Sequence, residues 1–177
     1  MKIHAIVGVF VFSNTCHYGL RAALYIASAQ DGRQFIPVRE IAEALDLSFY
    51  FLAKIVQLLT RRDLLVSFKG PNGGVALARP AQEITLLEVI RTIEGYDPLS
   101  GCVLGLERCS DENPCPLHAS WTAIRNRMDS FFGGTSLADL AGGIRDHLVR
   151  LSDEQLTHPP AQDLDSGALS DGEDYLL

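Results

Sequence analysis

The chain has 177 residues, 47% hydrophobic and 21% charged, with 15 Lys and Arg against 22 Asp and Glu. That is enough apolar material for one domain with its own core, which excludes global disorder. No apolar run reaches the ~18 residues of a membrane span. The net charge of −7 argues against nucleic acid only until it is located. From Asp153 to Leu177 there are seven acidic residues and no Lys or Arg, so residues 1–152 are balanced at 15 against 15. Between Ser48 and Pro80, Lys54, Arg61, Arg62, Lys69 and Arg79 face Asp63 alone. The body therefore carries a basic segment hidden by the whole-chain average.

Residues 1–12 combine one Lys with a short apolar run. An export signal would need a stronger basic start and small residues before Cys16, so this stretch reads as an N-terminal extension of the kind an early start codon produces. Residues 13–95 are expected to form one unit. Ser13 can cap a helix running to about Ala29, with Leu20, Ala23, Leu24 and Ala27 as its buried stripe. Asp31–Gly32 ends it. Pro37 opens a short helix with Val38, Ile41, Ala42 and Leu45 at helical spacing, and Asp46 breaks it. Ser48 caps a third helix that buries Leu52, Ile55 and Leu59. Two short helices so close together form a helix-turn-helix.

Leu64–Phe68 reads as a strand, residues 69–74 as a turn, and Val75–Leu77 as the returning strand. A hairpin directly after a helix-turn-helix is a wing. Thr85 and Glu88 form a capping box, with Ile84 placed to staple a helix that stops at Gly95. Residues 96–118 are a cysteine-bearing loop. Residues 119–151 form a dimerisation region: a helix from Ala119 to Phe132, an interruption at Gly133–Gly134, and a last helix from Ser136. Trp121, Ile124 and Met128 share one face of the first. Residues 152–177, acidic and rich in Pro, Gly and Ser, read as a disordered tail. The expected fold class is mainly α with a small β-hairpin wing (α+β): a winged helix-turn-helix plus a dimerisation helix.

Tyr50, Lys54, Gln57 and Arg61 make one polar stripe on the third helix. Most such stripes are solvated faces. Here a wing bearing Lys69, Gly70 and Pro71 stands beside it, and the pair suits double-stranded DNA: cations for guanine edges or phosphates, Gln for adenine.

Cys102, Cys109 and Cys115 are spaced C-x6-C-x5-C, and His118 follows at C-x2-H. A DNA-binding body implies a reducing cytoplasm, which disfavours disulfides. Three thiols and an imidazole suit zinc or an iron–sulfur cluster. The tight knuckles common in structural zinc sites are absent, and wide spacings let a loop wrap a larger inorganic core, so the spacing favours iron–sulfur over zinc. No C-x-x-C and no nucleophile with an activating neighbour is present, so neither an enzyme nor a small-molecule substrate is expected.

These segments together resemble the winged-helix regulators that include IscR, NsrR and RirA. The resemblance spans about Phe12 to Ala141 and rests on HYGLRAALYIA (17–27), IAEALDLSFYFLAKIVQLL (41–59), KGPNGGVALARP (69–80), ITLLEVIRTIEG (84–95), the three cysteines and CPLHASW (115–121). It implies a homodimer on a near-palindromic operator, with DNA affinity governed by an iron–sulfur cluster. It places DNA contacts at Ser48, Tyr50, Phe51, Lys54, Lys69, Gly70 and Pro71, and cluster thiolates at Cys102, Cys109 and Cys115. The first cysteine spacing exceeds the family's usual one by a residue, so the loop must bulge. His118 matches the fourth ligand of a 2Fe–2S site, the favoured reading. His17 stands where relatives with a 4Fe–4S cluster place an acidic ligand, and is the alternative. Otherwise His17 is an exposed side chain and His118 a helix cap.

Overall fold

A computed structural model describes residues 12–29, 35–70, 73–145 and 151. The extension before Phe12, the break at Asp31–Gly32, the wing residues Pro71 and Asn72, most of the segment after Arg145, and the acidic tail lie outside the described residues. Among the described residues, no helix is long and apolar enough to cross a membrane.

Helix α1 spans Asn14–Ala29. The Ser13 hydroxyl accepts from the Cys16 N–H at 3.1 Å, the expected cap. Its buried face matches the expected stripe only at Ala23. Cys16, Gly19, Ala22, Ala23 and Ile26 point inward, while Leu20, Leu24 and Ala27 pack only partly buried at the flank. The helix crosses α3, α4 and α6 at close range. The approach is closest at Gly19, which has no side chain to obstruct it. A Cβ on Gly19 would run into the side chain of Ile93.

Helix α2 (Val38–Ala44) follows Pro37, and Ile41, Ala42 and Leu45 are buried as expected. Asp46 holds φ at 51°, in the left-handed region that Asp tolerates in turns. The Arg21 guanidinium donates to the Leu45 carbonyl at 2.8 Å, tying this turn to α1. Helix α3 (Phe49–Arg61) buries Leu52, Ile55, Val56 and Leu59. Ser48 occupies its N-cap position, but its side chain makes no capping bond; only its carbonyl closes the first turn, onto the Leu52 N–H at 3.0 Å.

Strands β1 (Leu65–Phe68) and β2 (Gly74–Leu77) pair antiparallel, Leu65 opposite Leu77 and Phe68 opposite Gly74. The expected start at Leu64 is displaced because its N–H is committed to the Leu59 carbonyl at 3.0 Å. Ile36 adds a third edge, exchanging two 2.9 Å backbone bonds with Val75. The wing is thus bonded to the residue pair that launches α2. Gly74 makes this approach feasible: a Cβ there would strike the Ile36 carbonyl and lie 2.9 Å from the Pro37 nitrogen. Backbone, unlike a side-chain tip, cannot swing away. Gly74→Ala should cost about 1–3 kcal/mol, the usual range for overpacking, read as a lower urea midpoint at unchanged m-value.

A short 3₁₀ turn (Ala81–Glu83) leads into α4 (Leu86–Glu94), which ends at Gly95. Only half of the expected capping box forms. The Thr85 hydroxyl accepts from the Glu88 N–H at 3.2 Å, but the Glu88 carboxylate turns to Arg79 at the base of the wing. The backbone around Thr85 pairs instead with residues 135–137: Leu86 N–H to Thr135 and Leu137 N–H to Ile84, at 3.0 and 2.9 Å. Ile84 is fully buried, as a staple requires. Helix α5 runs His118–Gly134, through the glycine pair expected to interrupt it. The break comes at Thr135. Helix α6 (Leu137–Arg145) starts from a reciprocal Ser136–Asp139 box and buries Leu137 and Ala141 beside α1.

Cys16 is fully buried beside Glu94, and burial first, then the Glu94 charge, pushes its thiol up to about 12 from 9.0. Below about pH 9 the thiol is protonated folded or unfolded. Above it the unfolded chain sheds a proton that the folded chain retains, so this group's stabilising contribution declines between pH 9 and about 12. A chemical-denaturation series over that range should show a decline that is shallower in Cys16→Ala.

Candidate functional site

Two assemblies stand apart from the core. The first is the exposed side of α3 with the wing. Ser48, Tyr50, Lys54, Gln57 and Arg61 are exposed along one side, Tyr50 at 80%. Lys69 and Gly70 are exposed at the end of β1. Gly70 has φ of 129°, a conformation a side chain would strain. Phe51 is half-buried, its ring edge-on to Tyr18 of α1 at 5.4 Å. That contact helps hold α3 against α1.

Sequence reasoning missed two residues there. Phe49 is 38% exposed at the first turn of α3, edge-on to Tyr50 at 5.7 Å, with the Arg39 guanidinium 5.4 Å from its ring centre. Arg39 belongs to α2, so a stripe read along α3 alone could not include it. The start of α3 thus gathers aromatic rings, a cation and first-turn N–H groups that Ser48 leaves uncapped. Helix N-termini of this kind accept phosphate.

The second assembly is the cysteine loop. Leu99 is buried and anchors it. The Trp121 indole donates to the Gly101 carbonyl at 2.8 Å, clamping the loop's first limb to α5. The sulfurs of Cys102 and Cys115 lie 3.9 Å apart, and the Cys109 sulfur lies 3.4 Å from Nδ1 of His118. All are free thiols. Nε2 of His118 meets a carboxylate oxygen of Asp111 at 2.7 Å. His118 therefore does not cap α5; it opens the helix, and Leu117 holds the cap position without a side-chain bond. The Leu104 and Leu106 backbone N–H groups, then Cys115, hold the Cys102 thiol below its ordinary value.

The four side chains form two pairs. Among the described residues, no three His, Cys, Asp or Glu side chains converge on one point suited to a single metal ion. The donor chemistry fits an iron–sulfur group: soft thiols, one eased toward thiolate, and an imidazole. A carboxylate can only accept, so Nε2 is the nitrogen that faces Asp111 as donor while Nδ1 faces the cysteine side, the orientation that outer partners give a ligating histidine. His17 lies in the first turn of α1, its ring 6.5 Å from that of Phe12, which packs on Phe132 of α5.

The loop is braced to the helices around it. Arg91 of α4 pairs with Asp97 at the loop's start, 2.8 Å, and with Asp129 of α5, 3.2 Å. Helix α5 buries none of its residues in the single chain; Ile124 is 52% and Phe131 58% exposed, and Trp121 and Met128 are half-buried.

A family model for Rrf2, described as an iron-dependent transcriptional regulator, matches residues 12–143. The chain is 32% identical over 124 residues to the HTH-type transcriptional regulator IscR of Xenorhabdus nematophila, covering 70% of this chain and 74% of that protein. Among solved structures it is similar to CymR, the global cysteine regulator of B. subtilis: 30% identity, TM-score 0.64, 74% of this chain and 95% of that one. The fold also matches T. potens IscR with a TM-score of 0.61 at 22% identity, over 78% and 90% of the two chains.

Proposed function

The chain belongs to the Rrf2 family of winged-helix transcriptional regulators, which act by binding DNA and are not enzymes, and from that premise we propose that an iron–sulfur cluster controls its operator affinity. The observation that carries this reading is the cysteine loop. Cys102, Cys109, Cys115 and His118 come from one short stretch of chain, and His118 is held by Asp111 with Nδ1 toward Cys109. Those four residues would hold a 2Fe–2S cluster; a 4Fe–4S cluster completed by His17 is the competing arrangement. When bound, the cluster supplies a charge and redox state that responds to iron, oxidants or nitric oxide.

The chain's own residues would convert that state into a change in DNA affinity. Arg91 bridges α4, the loop and α5 through Asp97 and Asp129. Trp121, Ile124 and Met128, continued by exposed Phe131, offer an apolar face on α5 for a two-fold mate. A shift of the loop would then alter the angle between the mates' α3 helices. Both must fit successive major grooves of a near-palindromic operator, so a small rotation costs much affinity. Binding of this kind, in the reducing cytoplasm, would act as repression at the operator.

The test compares anaerobically loaded and stripped protein in DNA-binding titrations and sedimentation. A loading-dependent affinity and a dimer of about 39 kDa, twice the 19.4 kDa chain, are expected. A monomer in both states, or equal affinities, overturns the reading. Stoichiometric zinc without a chromophore points to the structural-zinc alternative.

A further inference from the structure

Beside the DNA-facing stripe lies a shallow groove of about 560 Å³ between α2, α3 and β1. Its floor is apolar, made by Val38, Phe49, Ala53 and Val56. Lys54 and Arg61 stand on its rim. DNA contact through the stripe needs those cations but has little use for an apolar floor.

We propose that this groove is an intramolecular docking site for the chain's own acidic segment 153–177, which covers the recognition surface and competes with DNA. The proposal rests on the DNA-binding reading of α3. Three observations support it. The first is charge: the segment has seven acidic residues and no Lys or Arg, while the stretch Ser48–Pro80 carries five cations against one acid. The second is pattern: in Asp171-Gly172-Glu173-Asp174-Tyr175-Leu176-Leu177, three acids precede three large apolar residues, which matches cations on a rim around an apolar floor. The third is reach. Leu151, the last described residue, packs partly buried against the core. The 26 residues from 152 to 177 span up to about 85 Å, several times the ~14 Å radius of a domain this size.

The physics is that of a tethered competitor. A short linker holds its ligand at an effective concentration near millimolar, so even a weak contact of ~0.1 mM occupies the groove most of the time. DNA must displace it, which lowers the apparent affinity about tenfold. Salt weakens the tethered ion pairs too, so inhibition should be strongest at low ionic strength.

The experiment uses two full-length variants. One replaces all seven acids from Asp153 to Asp174 with Asn or Gln. The other keeps every acid and changes Tyr175, Leu176 and Leu177 to Ser. Both should bind a duplex about tenfold more tightly than the wild type at low salt, with the advantage shrinking as salt rises. A photo-crosslinker at position 176 should attach to α2 or α3 in the absence of DNA and lose that product when duplex is added. Unchanged affinity in both variants overturns the proposal. Release by the charge variant alone also overturns it, because that result describes electrostatic repulsion without docking. Crosslinking elsewhere, to another copy or to no fixed place, does the same. If no form of the protein binds any duplex, the DNA-binding reading itself fails, and the crosslink still reports on the groove.

Discussion

Alanine at Cys102, Cys109 or Cys115 is expected to reduce anaerobically bound iron and sulfide from stoichiometric to trace, with loss of the visible absorption. Each removes one of the few thiolates, and the remaining pair cannot satisfy a cluster that has no other soft donor in the loop. Without the cluster, the loop loses the ligand bonds that would hold its two limbs together. The imidazoles discriminate between the two arrangements. Loss on His118→Ala but not His17→Ala supports a local 2Fe–2S site. The reverse supports a ligand that joins from the first helix. Asp111→Ala should weaken retention about tenfold, the low end for an outer hydrogen-bond partner, because Asp111 is 98% exposed and water replaces part of its effect. A His-ligated cluster should also show a higher, pH-dependent potential than an all-thiolate one. Retention by all three cysteine variants would remove the cluster assignment.

The second large effect concerns DNA. Lys54 is exposed mid-helix on α3, and Lys69 stands at the end of β1. Each phosphate contact adds about −0.9 to the slope of log affinity against log salt. Lys69→Ala should weaken binding across unrelated sequences and flatten the slope by about one unit. Lys54→Ala should lower discrimination at one operator position, by ~1–3 kcal/mol for a base-edge contact. Phe51→Ala provides a contrast: its ring packs on Tyr18, so it should destabilise the fold and leave the salt slope of the remaining folded protein unchanged. Wild-type affinity and slope in both lysine variants would disconnect α3 and the wing from DNA.

Part of this architecture is legible in the sequence because its signals are local. Ser13 can reach Cys16 without knowing what α1 packs against. Pro37, Asp46 and Gly95 set helix ends through their own φ preferences. The cysteine spacing names the donor chemistry of the loop, since thiols and an imidazole within one short stretch have few other uses. The stripe Tyr50–Lys54–Gln57–Arg61 follows from 3.6 residues per turn.

The tertiary structure decided what depends on residues far away in the chain. Two faces of α1 carry the helical period; the one containing Gly19 was turned inward, where the Ile93 side chain of α4 leaves no room for a side chain at that position. Phe51 and Tyr50 are neighbours of similar character, yet Tyr18 draws one ring inward and leaves the other exposed. Glu88 could have completed a capping box, but Arg79 offered a charged partner across the wing. Ile36 joined the hairpin because Gly74 lets the two backbones touch. The Trp121 indole met the Gly101 carbonyl, twenty residues earlier, and so tied the cysteine loop to α5. Local propensity is a property of a few consecutive residues and can be read from them; burial, pairing and ring orientation are set by whichever distant surface arrives, and only the folded chain brings that surface into contact.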